Sequence, residues 1–221
     1  MRDISEFRFS KALRPFSFAV ALMSCAVGIR LAMLDGYSDI QRALLILVAG
    51  LLAQAGVNLI NDMGDWQDLK PGQSQPILAL VKRNFIIGIA CFALAAILAS
   101  VLIQHAHQTL LWICMVGLVG AIGYALPPID LKSRGLAVAC VFWLMGVFMV
   151  CGSYLAMGGG WRLSVLLNAV PISLLVSTLL LANEIRDYEQ DKQRDLKTLS
   201  VRIGLTGARS LYLSLVAVSY T

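Results

Sequence analysis

The chain has 221 residues, 58% of them hydrophobic and 14% charged, with a mean hydropathy of +0.76 and a formal net charge of +5. A soluble domain carries roughly 45–50% apolar and about 25% charged residues, so the composition excludes an ordinary water-soluble enzyme and points to a membrane. The positive charge is spread over chain segments that one membrane face would collect, which gives no reason to invoke nucleic acid as a partner.

In chain order, the first apolar run is Pro15–Leu34, interrupted by Arg30 near its far end, where a long side chain can reach the interface. Charge-free runs follow at Ala43–Ile60, Phe85–Gln104, Thr109–Ile129, Leu136–Trp161 and Leu163–Asn183. Each is near or above the ~18 residues that cross a bilayer core. No A-x-A-like site follows the first run and five further runs do, so it is read as a span rather than a cleaved signal. A seventh run begins after Arg209 and reaches Thr221, too short to span. The expected fold is therefore all-α: a polytopic transmembrane helix bundle with six full spans and a shortened seventh. Residues 1–221 are taken as one membrane-embedded domain whose seventh run is cut short.

With the N-terminus inside, only Arg42 and Arg162 fall in outer loops and Arg30 at the outer end of the first span. The other 15 of 18 basic residues lie inside, which sets the orientation by the positive-inside rule. The five cysteines all lie in apolar spans, where a thiol acts as a small hydrophobe. His105 and His107 form an isolated H-x-H, which reads as a polar interfacial turn because two ligands do not make a metal site.

Topology does not require acids on that same face, yet eight of the thirteen carboxylates gather in two short segments there. The second span ends Asn58-Leu-Ile-Asn61-Asp62-Met-Gly-Asp65-Trp-Gln-Asp68, and the sixth ends Asn183-Glu184-Ile-Arg186-Asp187-Tyr188-Glu189-Gln-Asp191. Asn58 and Asn183, and likewise Asp62 and Asp187, are 125 positions apart. On continuing helices, Asn58, Asp62 and Asp65 share a face, as do Asn183, Asp187 and Asp191. At ~100° per residue Asp191 lies about 40° from Asp187, whereas Glu189 lies about 160° away. Like charges at such spacing repel unless something neutralises them. Oxygen-only ligands favour a hard ion, and Mg2+ takes one or two carboxylates together with substrate phosphates and water. The candidate metal-binding and catalytic residues are Asp62, Asp65, Asp187 and Asp191, in a site suited to ionising a diphosphate ester. The alternative reading is that these acids solvate helix ends and pair with Arg186, Lys192 and Arg194.

These residues resemble the two aspartate-rich motifs of the UbiA-type superfamily of intramembrane prenyltransferases, and the likeness spans nearly the whole chain. Leu13-Arg14-Pro15-Phe16-Ser17-Phe18 is similar to the family's entry into its first helix. The second motif, continued by Lys197-Thr198-Leu199-x-Val201-Arg202-x-Gly204, resembles the branch that prenylates 1,4-dihydroxy-2-naphthoate in menaquinone synthesis. Tyr124-Ala-Leu-Pro127-Pro128-Ile-Asp-Leu131-Lys132-x-x-Gly135-Leu136 resembles the linker whose lysine meets the diphosphate. The resemblance implies a helix bundle around a central cavity with a polar cytoplasmic cap, Mg2+ as cofactor, and a polyprenyl diphosphate and an aromatic acceptor as substrates. It also implies the cytoplasmic membrane of a bacterium as location, with substrate-binding roles for Asn58, Tyr124, Lys132, Asn183, Arg186 and Arg202. Tyr124 would face the allylic cation or, equally, belong to an interfacial aromatic belt, and the alternative reading of Lys132 is a positive-inside anchor.

The chain departs from the family pattern in places. Leu69 stands where the last acid of the first motif is usual, with Asp68 one position earlier. Gln75-Pro76 replaces an arginine before proline, leaving Lys70, Lys82 or Arg83 for that phosphate contact, and Ala137-Val138 replaces Gly-Glu. Other readings are 4-hydroxybenzoate or another acceptor, a non-catalytic membrane partner, and an ion-coupled transporter. A transporter would place its ionisable groups near the midplane rather than at helix ends. The D-x-x-D-G-x-x-A-R core of CDP-alcohol phosphotransferases is absent.

Overall fold

The structure is a computed structural model that describes residues 7–65, 74–104 and 106–220, with side chains for all of these except 64, 65 and 74–76. Among the described residues every regular element is helical. They run α1 (Phe9–Ala12), α2 (Phe16–Leu34), α3 (Ile40–Asp65), α4 (Ser74–Ile103), α5 (Thr109–Ala125) and α6 (Ala137–Val141). A π-helical segment (Phe142–Phe148), α7 (Met149–Ala156), α8 (Leu163–Arg186), α9 (Tyr188–Gln193) and α10 (Leu199–Ser219) complete the series. Among the described residues, six stretches are long and apolar enough to cross a membrane: Phe9–Leu34, Ile40–Met63, Ile77–Ile103, Ala137–Ala156, Leu163–Arg186 and Leu199–Ser219; α5 is a shorter apolar helix.

Contacts at the helix ends show that α3 and α8 run antiparallel to α2 and α7. At one end Arg14, just before α2, pairs with Asp62 in the last turn of α3. At the other end Asp35, capping α2, accepts a 2.6 Å hydrogen bond from Tyr154 of α7 and pairs with Arg162 before α8 at 3.1 Å. The first of these, where α3 finishes, is the motif end.

Without a hydrophobic force between helices in lipid, close approach depends on small residues. Gly28 of α2 lies so near Val150 and Ser153 that an added Cβ would stand 2.7 Å from the Ser153 Cβ. Gly146 of the π-helical segment meets Ser173 of α8, whose Cα would be 2.6 Å from such a Cβ. The main core joins α2, α3, α5, α7 and α8 around buried Ile29, Ile46, Val150, Leu155 and Ala169, while Ile86, Ile97, Trp112 and Val119 are exposed on the outside of the bundle.

The seventh apolar run is longer than its hydropathy indicates. It starts at Leu199 rather than after Arg209, forming a 21-residue helix interrupted at Gly204, which has φ 75° and ψ 160°. Leu199, Ala208, Leu211 and Leu215 pack on Leu181 of α8, while Arg202 and Arg209 occupy the exposed side and mask the helix from a charge-based reading. Arg209 thus lies within α10. Three other spans also extend beyond their charge-free runs, because α3 continues to Asp65, α8 to Arg186, and α4 begins at Ser74, whereas the runs Thr109–Ile129 and Leu136–Trp161 end early as helix, at Ala125 and Ala156.

Candidate active site

The last turns of α3 place Asn58, Asn61 and Asp62 on one face, as the three- and four-residue spacing requires, and all three are buried. Asn58 donates both amide protons, to the Leu13 carbonyl at 2.6 Å and to Ser17 Oγ at 2.7 Å, and its oxygen accepts from Gln54 Nε2 at 3.0 Å. It thereby holds the turn leading into α2. Between those two anchors sits Arg14, at φ 47°, a left-handed conformation uncommon for a non-glycine residue. The turn aims its guanidinium at the motif: Arg14 Nη2 is 3.7 Å from Asp62 Oδ1, and the Asn61 amide, with its oxygen turned toward Arg14, accepts from the same group. Asn84 of α4 donates to the Phe7 carbonyl at 3.0 Å, and Phe7 packs against Ile77 and Val81, so the N-terminal segment is fastened across the α3–α4 hairpin.

The second motif leaves α8 through Asp187, where φ −92° and ψ 4° end the regular helix. Continuation of one straight helix through Asp191 is therefore corrected to two helices, α8 and α9, that bend at Asp187. The turn itself survives the bend. Asp187 N–H donates to the Asn183 carbonyl at 3.0 Å and Asp191 N–H to the Asp187 carbonyl at 2.9 Å, so Asn183, Asp187 and Asp191 remain in successive turns. Glu189 is exposed, whereas Asp187 and Asp191 are half-buried. Arg186 forks onto Asp187 with two 2.8 Å bonds, from Nε and Nη2. Burial, reinforced by the Asp187 charge, raises the Asp191 carboxyl above its ordinary value, while the Thr198 hydrogen bond and the charges of Lys132 and Arg194 oppose the shift.

The linker after α5 folds back on its own helix, with Leu131 and Lys132 N–H donating to the Gly123 and Tyr124 carbonyls at 3.0 and 3.2 Å. This brings Lys132 within electrostatic reach of Asp191 and Glu184. Tyr124, half-buried, is one residue from the end of α5. Gly135 in that linker has φ 73°, and a Cβ there would stand 2.6 Å from Cδ of Arg202. Arg202 in turn donates from Nε to the Lys197 carbonyl at 2.9 Å, a contact between α10 and the segment that leads into it.

Asn58, Asp62, Tyr124, Lys132, Asn183, Arg186, Asp187, Asp191 and Arg202 all fall at the motif end, and Lys132 is within electrostatic reach of Asp191. The side chain of Asp65, together with Asp68, Lys70 and His105, lies outside the described residues. His107 bonds its neighbour Thr109 through Nδ1 at 2.8 Å, a local turn contact. Sequence reasoning assigned no site role to Arg14. Its signal was a basic residue before proline, in the stretch similar to the family's entry into its first helix, and the partnership with Asp62 depends on how α2 meets α3.

The donor set is all oxygen, and among the described residues no three His, Cys, Asp or Glu side chains close around one point. Such a set fits Mg2+, which needs only one or two carboxylates when phosphate and water complete its shell, and does not fit zinc.

Residues 21–221 match the UbiA prenyltransferase family. The chain is 27% identical to 1,4-dihydroxy-2-naphthoate octaprenyltransferase of Bacillus subtilis over 94% of its own length and 69% of that protein's. It is 29% identical to UbiA prenyltransferase domain-containing protein 1 of Danio rerio, over 95% of the chain and 65% of the relative, so it spans about two thirds of the length of these curated relatives. Its fold is similar to that of a UbiA homolog from Archaeoglobus fulgidus bound to DMAPP and Mg2+, with a TM-score of 0.73 at 20% identity, covering 96% of this chain and 75% of that one. A structure of the same homolog with GPP and Mg2+ matches equally, at TM-score 0.73. The paired acidic helix ends, the lysine-bearing linker and the match over nearly its full length agree: the chain belongs to the UbiA prenyltransferase family.

Proposed function

We propose that this protein transfers a polyprenyl group from polyprenyl diphosphate to 1,4-dihydroxy-2-naphthoate at the cytoplasmic face of a bacterial inner membrane. The observation that carries this reading is the Asp187–Asp191 turn, with Lys132 within electrostatic reach of Asp191, at the same end of the bundle as the Arg14–Asp62 pair. The acceptor is taken from the naphthoate octaprenyltransferases to which the chain is similar.

Asp62 and Asp65 on α3, and Asp187 and Asp191 after α8, would hold Mg2+, which when bound stabilises charge on the departing diphosphate. Lys132 supplies a fixed positive charge beside the second motif, and Arg186 and Arg202 add cations on the same side. Asn58 acts by holding the Leu13–Ser17 turn and hence Arg14, and Asn183 by its place one turn before Asp187. The prenyl tail lies among apolar spans, where water cannot trap the allylic cation left when the C–O bond breaks. Tyr124 offers its ring to that cation. An electron-rich carbon of the acceptor forms the new C–C bond, and the naphthoate carboxyl group is then lost as carbon dioxide.

The test incubates membranes containing the protein with Mg2+, a labelled polyprenyl diphosphate, and either 1,4-dihydroxy-2-naphthoate or 4-hydroxybenzoate. Labelled lipid product is expected with the naphthoate. Product with 4-hydroxybenzoate alone would reassign the acceptor, and product with neither would overturn the reading.

A further inference from the structure

Glu184 is 7% exposed and none of the roles above uses it. A buried carboxylate is costly unless hydrogen bonds compensate it, and its partners identify its task. Its Oε2 accepts the Ser200 N–H at 3.1 Å, while its main-chain carbonyl accepts the Ser200 hydroxyl at 3.1 Å. Ser200 lies in the first turn of α10, so Glu184 caps that helix from α8, placing negative charge at the positive end of its dipole.

Thr198 occupies the N-cap position of α10 without capping its own helix. Its Oγ1 lies 3.3 Å from Asp191 Oδ2 and 3.3 Å from Ser200 Oγ. The Ser200 proton is committed to the Glu184 carbonyl. The single Thr198 proton then goes to the carboxylate, the stronger acceptor. The Leu196 N–H also donates to the Asp191 carbonyl at 3.0 Å. The segment from Leu196 to Ser200 is therefore bonded to Glu184 on one side and to Asp191 on the other.

We propose that Glu184 and Thr198 are positioning residues for the metal-binding carboxylate: Glu184 anchors the start of α10 and so holds Thr198 where its hydroxyl fixes Asp191. This rests on the reading of Asp191 as a metal ligand. Hydrogen-bond partners of ligating groups typically contribute 10–100-fold in metal affinity. At 3.3 Å the Thr198 bond belongs at the lower end, about tenfold.

The experiment titrates the purified full chain with Mn2+, followed by electron paramagnetic resonance, in the presence of unreactive geranyl S-thiolodiphosphate, and records a melting temperature for each variant. Thr198→Val is expected to weaken Mn2+ binding about tenfold without loss of folding, and Thr198→Ser to restore it to within about twofold of the parent. Glu184→Ala should weaken binding similarly, and the double variant no further, because both act through one contact. If Glu184→Ala does not fold, the Thr198→Val and Thr198→Ser pair decides. Unchanged affinity in Thr198→Val, with or without a lower melting temperature, overturns the proposal provided that Asp191→Asn in the same series loses Mn2+. Unchanged affinity in Asp191→Asn overturns the ligand reading itself.

Discussion

Replacing Asn58 by alanine separates a residue that holds structure from one that only touches substrate. The side chain is 4% exposed and makes three hydrogen bonds, to the Leu13 carbonyl, Ser17 Oγ and Gln54. Alanine removes all three and strands the Leu13 carbonyl and the Gln54 amide. With about 1 kcal/mol net for each lost bond, the cost is about 3 kcal/mol. For a chain of this size that corresponds to about 6–12 °C in melting temperature. The Leu13–Ser17 turn would loosen, and with it the hold on Arg14, so turnover should fall as well. Thermal melts of the detergent-purified protein, paired with Mg2+-dependent turnover, provide the assay. A variant that melts within about 2 °C of the parent while losing turnover would refute the structural role and leave Asn58 as a direct ligand.

Asp187→Asn and Asp191→Asn keep size but remove charge in successive turns, and should each lower Mg2+-dependent turnover by about 100-fold or more. Glu189→Gln, at an exposed position, should cost less than about tenfold in the same kinetic assay; equal losses would contradict the ligand assignment. Gly146→Val would drive a side chain into the Ser173 backbone, destabilising the protein by about 1–3 kcal/mol, measurable as a lower melting temperature. In a background free of the five cysteines, a cysteine at Gln193 should react with membrane-impermeant reagent from the cytoplasmic side. One at Gly160, where a side chain meets open space, should react from the opposite side; labelling of both from one side would contradict the topology.

The spans and the two acidic segments were legible because both are local properties of sequence: charge-free runs of membrane length, and acids at a repeated spacing on an end that charge asymmetry makes common. The elements that escaped depend on packing between distant segments. Phe142–Phe148 reads as an ordinary apolar run, since nothing in its composition encodes the wider π-helical winding beside Ser173. The start of α10 was hidden because its amphipathic face carries Arg202 and Arg209 outward while its apolar face rests on Leu181. Glu184 looked like one more acid in a cluster, and only the meeting of α8 with α10 turns it into a cap for Ser200. Arg14 could be read as a flanking charge but not as the partner of Asp62, 48 positions away.

Transfer itself is tested most directly by giving the purified chain labelled polyprenyl diphosphate, 1,4-dihydroxy-2-naphthoate and Mg2+, beside an Asp62→Asn/Asp187→Asn double variant and a sample treated with EDTA. Diphosphate release and labelled prenylated naphthoate should rise together, in equal amounts, in the parent with Mg2+ alone. Equal product from the double variant or in EDTA, or diphosphate released without prenylated product, would contradict an aspartate-held, metal-dependent transfer to the naphthoate.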